Sequence, residues 1–337
     1  MNMKETPIRF FGFFDPVHQG HIEIAEDIYK KTGRPVVFTP LPWKSGRVSV
    51  AKAEHRLALL RIALSGLEYP FSIDDGAIEG NVYPYFEMTK HGSKENFLIT
   101  YEDRLCMDTY RPPICEDSVT AVSISPTSDD VRHLRAFLEN DEERAYIEKE
   151  RLYGVDFVRD HLGYEHEHRL EHSISVARLA YDIAKSNGLP YSGWAYIAGL
   201  LHDCAKEMSE EESLDLLNET MPELKGIYPK WAYHQFLGAV TAQRDFGIWN
   251  PFIIEAICWH ATGCGHMSPL AKIIYAADKI EPLRGYDSSS MIEECKKDCE
   301  KGFLTVLSAN RDYLTEKGYK VDNPSTKECF DFYLGDK

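Results

Sequence analysis

The segment LLHDCAKE, residues 200–207, closes an apolar run with a histidine beside a carboxylate, His202 and Asp203, and a lysine, Lys206, shortly after. A buried polar group left unpaired costs about 1–3 kcal/mol or more, so this pair needs a compensating partner. Similar interruptions recur in apolar segments along the same half of the chain: His172 in EHSISVARLA, His234 in HQFLGAVTAQ, His260 in IIEAICWHATG and Asp278 in KIIYAADKIEP. A lone histidine on an apolar face is more often a satisfied core residue. Four histidines and two aspartates on successive helical segments form a donor set instead. Imidazole nitrogen and carboxylate oxygen suit zinc, manganese and iron alike. Adjacent helical residues point about 100° apart, so His202 and Asp203 could grip one ion from two sides. A carboxylate such as Asp203 can also bridge two ions.

A second constellation lies in DPVHQGH, where His18 and His21 follow a strand-like run and a glycine turn and open a helix. Free backbone N–H groups and the dipole make a helix N-terminus attractive to anions, so two histidines there suit phosphate. Ordinary helix capping is the plainer alternative.

These groups need elements to position them. In the first half, IRFFGFF and PVVFTPLP read as strands, and HIEIAEDIYKKTG and AEHRLALLRIALSG as helices. Strand alternating with helix predicts a parallel, doubly wound sheet. From about residue 165 the pattern is helical throughout. Gly188 ends one helix, Ser209 and Glu212 form a capping box, and Asn250-Pro251 and Ser268-Pro269 open two more. The expected organisation is an α/β domain over residues 1–155 and an all-α domain over 160–337, joined in the charged stretch around 154–166.

Length and charge narrow the function. The chain has 337 residues and a net charge of -16, which disfavours long nucleic acids, whose binding rests on Lys and Arg. A small nucleotide remains open, because metals supply positive charge locally. No signal pattern opens the chain and no apolar stretch reaches the roughly 18 residues of a membrane helix, which predicts a cytoplasmic protein without membrane or nucleic-acid partners. The eight cysteines contain no C-x-x-C pair and read as reduced thiols. Cys295 and Cys299, four apart, are expected on one helix.

The ordered segments HRLEHSISVARLA, AGLLHDCAKE, WHATG and MSPLAKIIYAADKIEPLR resemble the HD superfamily of metal phosphohydrolases. They look most like the bacterial symmetrical diadenosine tetraphosphate hydrolases, over about residues 160–330. The resemblance implies an HD helical bundle holding two metal ions, iron by likeness, and cleavage of a dinucleoside tetraphosphate into two nucleoside diphosphates. It implies that His172, His202, Asp203 and Asp278 hold one metal and that Asp203, His234 and His260 hold the other. Lys206 would act beside Asp203 in catalysis by contacting phosphate. Arg169, Thr262, Gly263 and Arg284 would lie near the nucleotide. Cys264, Gly265 and His266 depart from the family pattern. Two such cations would acidify a shared water and neutralise phosphate oxygens, and Lys206 would stabilise charge developing in the transition state.

The DPVHQGH loop, with Lys44 in PLPWK and Thr127, Ser128 and Arg132 in SPTSDDVR, resembles the H-x-G-H nucleotidyltransferases, most closely the nicotinate-mononucleotide adenylyltransferases. That implies a Rossmann-like, shortened domain binding nucleotide through His18, His21, Lys44 and Arg132, with magnesium if it is active. Phe11 and Phe13 stand where the family has smaller residues, Asp129 stands near an expected hydroxyl, and the glycine–aspartate–tryptophan segment of the family is missing. The expected function is therefore phosphohydrolysis at a dinuclear HD site. The alternatives are a bifunctional enzyme that also makes a nicotinate dinucleotide, or a first domain that binds nucleotide for regulation without catalysis.

Overall fold

The apolar runs of the first half become short parallel strands, and those of the second half become helices that stop at polar residues. The structure is a computed structural model that describes residues 7–41, 51–76, 78, 97–99, 119–120, 128–162, 167–321 and 323–335. The chain divides into two compact units, Met1–Gly154 and Val155–Lys337.

In the first unit, strands β1 (Ile8–Gly12), β2 (Val36–Pro40), β3 (Phe71–Ile73), β4 (Phe97–Ile99) and β5 (Val119–Thr120) form a parallel sheet in the order β3-β2-β1-β4-β5. Ile8, Phe10, Phe11, Val36 and Phe38 are buried. Such near-continuous apolar runs mark parallel strands covered on both faces. The chain leaves β1 toward β2 and β3 on one side and returns to β4 on the other. Ligands of doubly wound sheets bind at this switch point, outside the strand ends. Helix α1 (Gln19–Thr32) opens just past β1 and closes on Gly33, whose φ of 66° needs no Cβ. Among the described residues, helices α2 (Ala53–Leu64), α3 (Ser128–Arg132) and α4 (Asp141–Glu150) complete this unit.

The stretch expected as the join is largely helix α5 (Gly154–Leu162), with Val155, Val158 and Leu162 buried. Helices α6 (Glu167–Ser186), α7 (Ser192–Leu201), α8 (Glu210–Thr220), α9 (Tyr233–Arg244), α10 (Pro251–Trp259), α11 (Pro269–Ile280), α12 (Ser289–Lys297), α13 (Cys299–Glu316) and α14 (Pro324–Leu334) follow. The caps read from the sequence are formed. Ser209 and Glu212 bond reciprocally, Asn250 Oδ1 accepts the Phe252 N–H at 3.0 Å, and Ser268 Oγ accepts the Ala271 N–H at 3.2 Å. Cys295 and Cys299 do not share a helix. Asp298 between them caps α13 by accepting the Lys301 N–H at 3.0 Å. No helix among the described residues is long and apolar enough to cross a membrane.

Helix α11 packs against α6, α7, α10 and α13 at the centre of this unit. Tyr275 on it is fully buried, with its ring against Phe303. Helices α6 and α7 approach so closely that a Cβ at Gly199 would lie 2.7 Å from the Ala177 Cα. Glycine is the residue that permits this crossing, and it brings His172 of α6 toward the end of α7, where His202 stands.

Candidate metal centre

Helix α7 ends at Leu201, and residues 202–207 continue as turns rather than as helix. The last carbonyls of a helix have no intrahelical donor. Here the side chain of His202, the C-cap residue, supplies one: its Nδ1–H donates to the Gly199 carbonyl at 2.7 Å. His260, the C-cap of α10, does the same to the Ile257 carbonyl at 2.7 Å. His234, early in α9, donates to the Trp231 carbonyl in the preceding 3-10 turn Lys230–Ala232, also at 2.7 Å. A carbonyl can only accept, so each ring carries its proton on Nδ1 and, when neutral, presents a lone pair at Nε2.

These nitrogens converge on Asp203. Its Oδ1 lies 3.2 Å from His234 Nε2 and 3.3 Å from His260 Nε2, and its Oδ2 lies 3.7 Å from His202 Nε2. The Nε2 atoms of His234 and His260 are 3.1 Å apart. Burial pushes His260 down to about 3, so its ring is neutral at physiological pH and points a lone pair at a carboxylate. Burial would raise the Asp203 carboxyl, but His202, His234, His260 and Lys206 outweigh it and hold the group well below the usual carboxylate range. His202 Nε2 and Asp203 Oδ1 are buried and make no hydrogen bond. Lone pairs facing a carboxylate in the interior repel unless a cation stands among them, so the donor set fits metal ions. His172, His202 and Asp203 form one group with ligand atoms within 4.8 Å of one another, and Asp203, His234 and His260 form a second.

Asp278, at the end of α11, borders the first group. Its Oδ1 lies 3.2 Å from His172 Nε2 and 3.6 Å from His202 Nε2. The other nitrogen of His172 reveals a residue that sequence reasoning missed: Nδ1 donates to Glu281 Oε1 at 3.0 Å. Glu281 is buried, and its Oε2 accepts the Leu283 N–H at 2.7 Å. Burial disfavours a charged His172, but Asp278 and Glu281 outweigh it and push the ring up to about 9, so a metal ion at Nε2 must displace a proton. The i−3 carbonyls orient three rings and Glu281 orients the fourth.

A cleft of about 490 Å³ opens onto this cluster, lined among others by His172, Asp203, Lys206, His260 and Asp278. Lys206 Nζ is 2.9 Å from His234 Nε2 and 3.6 Å from Asp203 Oδ1. Arg169 and Arg284 also line it; the first is ion-paired to Glu207 and the second to Asp278. A guanidinium has five donors, so this anchoring leaves others to face the cleft. Thr262 and Gly263 do not line it. Thr262 is buried, where its hydroxyl accepts from Gln235 Nε2 at 3.0 Å and from Ser325 Oγ at 3.1 Å. Gly263 packs so tightly that a Cβ would meet Cys329 Sγ at 2.7 Å. The two tie the His260 turn to α9 and α14. Gln235, which follows His234 directly, is a second contributor that nothing in the sequence marks.

In the first unit, His18 and His21 are a capping box. His18 Nδ1 accepts the Gly20 N–H at 3.1 Å and His21 Nδ1 accepts the His18 N–H at 3.2 Å. Burial holds His21 well below the usual histidine range. With Nδ1 accepting, the ring protons sit on Nε2, where they can be donated to an anion. Arg132 donates to the Asp15 carbonyl at 2.6 Å and Ser128 to the Pro16 carbonyl at 2.9 Å, so the segment around α3 and the histidine loop are brought together. Arg56, unremarked in the sequence, grips the same turn through the Phe13 carbonyl at 2.7 Å. Lys44 and Thr127 lie outside the described residues.

Residues 169–283 match the family model of the HD domain, and residues 9–111 match that of cytidylyltransferase-like proteins. The chain is 27% identical over 344 residues to a probable nicotinate-nucleotide adenylyltransferase/Ap4A hydrolase of Mycoplasma pneumoniae, covering 88% of this chain and 97% of that one. It is 34% identical over 157 residues to a symmetrical bis(5′-nucleosyl)-tetraphosphatase of Bacillus subtilis, covering 46% of this chain and 84% of that one. For the protein of the same name from Halalkalibacterium halodurans the figures are 30% over 170 residues, 50% and 89%.

Glu281→Ala leaves the His172 Nδ1–H without its carboxylate and frees the ring to turn. Metal affinity of the variant, followed by competition with a chelator, is expected to fall about 10–100-fold while the helical circular dichroism is retained. Unchanged affinity would contradict the orienting role of Glu281.

Proposed function

Because the chain belongs to the HD-domain family of symmetrical bis(5′-nucleosyl)-tetraphosphatases, we infer that it hydrolyses dinucleoside tetraphosphates at the Asp203 cluster, taking diadenosine tetraphosphate to two ADP. The observation that carries this reading is that two ligand groups share the single carboxylate of Asp203 on the floor of a cleft. We assign one cation to His172, His202, Asp203 and Asp278 and a second to Asp203, His234 and His260. The ions are divalent, and iron is favoured by family likeness over manganese and zinc. Such a pair supplies Lewis acidity to a phosphoryl group and lowers the pKa of a water.

The protein's own groups do the rest. The cleft wall carries four carboxylates, Glu171, Asp203, Asp278 and Glu281, against three fixed cations, Arg169, Lys206 and Arg284. A tetraphosphate would be repelled by that balance alone, so its binding depends on the charge that the histidines and aspartates hold. Arg169 and Arg284 sit at the rim, where they meet phosphate oxygens beyond the point of attack. Lys206, anchored beside Asp203, stabilises negative charge as it develops on the departing nucleotide. Holding the reacting phosphate against preset donors saves the cost of ordering them during the reaction.

A second reading concerns the first unit. His18, His21, Ser128 and Arg132 meet at the switch point of the sheet, and the Mycoplasma relative that spans nearly the whole chain is named for both activities. On this reading the unit joins ATP and nicotinate mononucleotide, with magnesium, and the Nε2–H groups of the two histidines meet phosphate.

The first reading is tested by incubating the full chain, loaded with ferrous iron or manganese, with diadenosine tetraphosphate and separating the products. ADP alone is expected, with turnover lost in Asp203→Ala; ATP plus AMP would contradict mid-chain cleavage. For the second, the full chain with ATP, nicotinate mononucleotide and magnesium should release pyrophosphate and the dinucleotide, and His18→Ala should abolish both. Nucleotide binding without product would favour a regulatory unit.

A further inference from the structure

A second hollow of about 510 Å³ lies against the same segment that carries His260. Trp231, Lys279, Tyr319, Lys320 and Asn323 line it, and Ala261 belongs to both its wall and that of the metal cleft. The partition between the two is pinned. Lys279 Nζ donates to the His260 carbonyl at 3.0 Å and to the Ala261 carbonyl at 3.4 Å, and its charge rests over the Tyr275 ring at 3.6 Å. The opposite wall is tied to the ligands as well, since the Trp231 carbonyl accepts the His234 Nδ1–H. Two large rings are left in water along this hollow: Trp231 is 55% and Tyr319 is 59% exposed. Exposed rings gathered at a concave surface mark a binding site more often than a defect, and every nucleobase has a face that can stack on them. Lys320 adds a positive charge at the edge, on a chain whose net charge is -16.

We propose that this second hollow receives one of the two nucleosides of the dinucleotide, so that the polyphosphate crosses the 260–262 segment and each half of the substrate has its own pocket. The proposal rests on the hydrolase reading and adds the placement of both halves. Cleavage at the middle of a symmetrical substrate breaks the central bridging P–O bond and leaves an equal nucleoside diphosphate on each side of it, one carrying the attacked phosphate and the other leaving with the bridging oxygen. One cleft can seat one half; the other half needs a surface on the far side of the ligands. The hollow behind Ala261 is that surface, and both volumes lie within the range of about 300–1,000 Å³ that small-ligand sites occupy. Arg169, Lys206 and Arg284 serve the half in the metal cleft. Trp231 and Tyr319 offer stacking faces, and Lys320 offers charge, to the other half.

The test uses the full chain loaded with manganese. Calorimetric titration with ADP is expected to count one site fewer per chain in the double variant Tyr319→Ala/Lys320→Ala than in the wild type, and the wild-type number in Tyr319→Phe, which keeps the ring. In parallel, kcat/KM for diadenosine tetraphosphate is compared with that for adenosine 5′-tetraphosphate, which lacks the second nucleoside. Loss of stacking in Tyr319→Ala should lower the ratio about tenfold. An equal number of ADP sites in wild type and double variant, or a ratio that does not move, overturns the proposal. Wild-type protein that fails to cleave diadenosine tetraphosphate would sink the hydrolase reading instead, and the ADP count would still judge the hollow.

Discussion

Three hydrogen bonds from an imidazole Nδ1–H to the carbonyl three residues earlier govern the helical unit. They satisfy the open carbonyls of Gly199 and Ile257, where α7 and α10 end, and that of Trp231 before α9. They also settle which nitrogen keeps its lone pair, and turn all three lone pairs toward Asp203. The helices must stop at His202 and His260 for this to happen. A continued helix would have used those carbonyls itself, leaving the rings free to take either tautomer. The close crossing of α6 and α7 at Gly199 and the clamp of Gln235 and α14 on Thr262 hold these ends in place. Such second-layer contacts commonly fix the orientation of metal-binding histidines.

The same residue type presents the opposite group in the first unit. There the Nδ1 atoms of His18 and His21 accept backbone N–H groups, so the outward atoms are N–H donors. Lone pairs suit cations and N–H groups suit anions. The backbone partner of each ring therefore separates a metal-type cluster from a phosphate-type loop, although both are written as histidines in the sequence. Acidic net charge is no obstacle to either. On the proposed reading, the positive charge needed for a polyanionic substrate is gathered locally, at the histidine–aspartate cluster and at the arginines and lysines beside it.

Much of this architecture was legible in the sequence because strong local signals carried it. Alternating strand and helix patterns pointed to the parallel sheet, and the caps at Ser209, Asn250 and Ser268 marked helix starts that the structure contains. Histidines and aspartates inside apolar helices stood out because burial there demands a partner. Glu281 and Gln235 did not stand out. A glutamate before proline reads as a helix end and a glutamine in a helix reads as solvated surface, and only tertiary packing turns them inward. For Thr262 and Gly263, adjacency to His260 points to the cleft, and only the packing of the Gly263 turn (φ of 66°) against Cys329 reveals their tie to α14. Spacing alone puts Cys295 and Cys299 on one helix, because it does not show the cap at Asp298 that divides them.

The central claim is that Asp203 bridges two cations held by the four imidazoles. Anomalous diffraction from crystals of the full chain grown with manganese tests it most directly. Two anomalous peaks per chain, one on each side of the Asp203 carboxylate and each touching an Nε2 set, are what this account predicts. A single peak, or peaks that leave Asp203 uncoordinated, would contradict it.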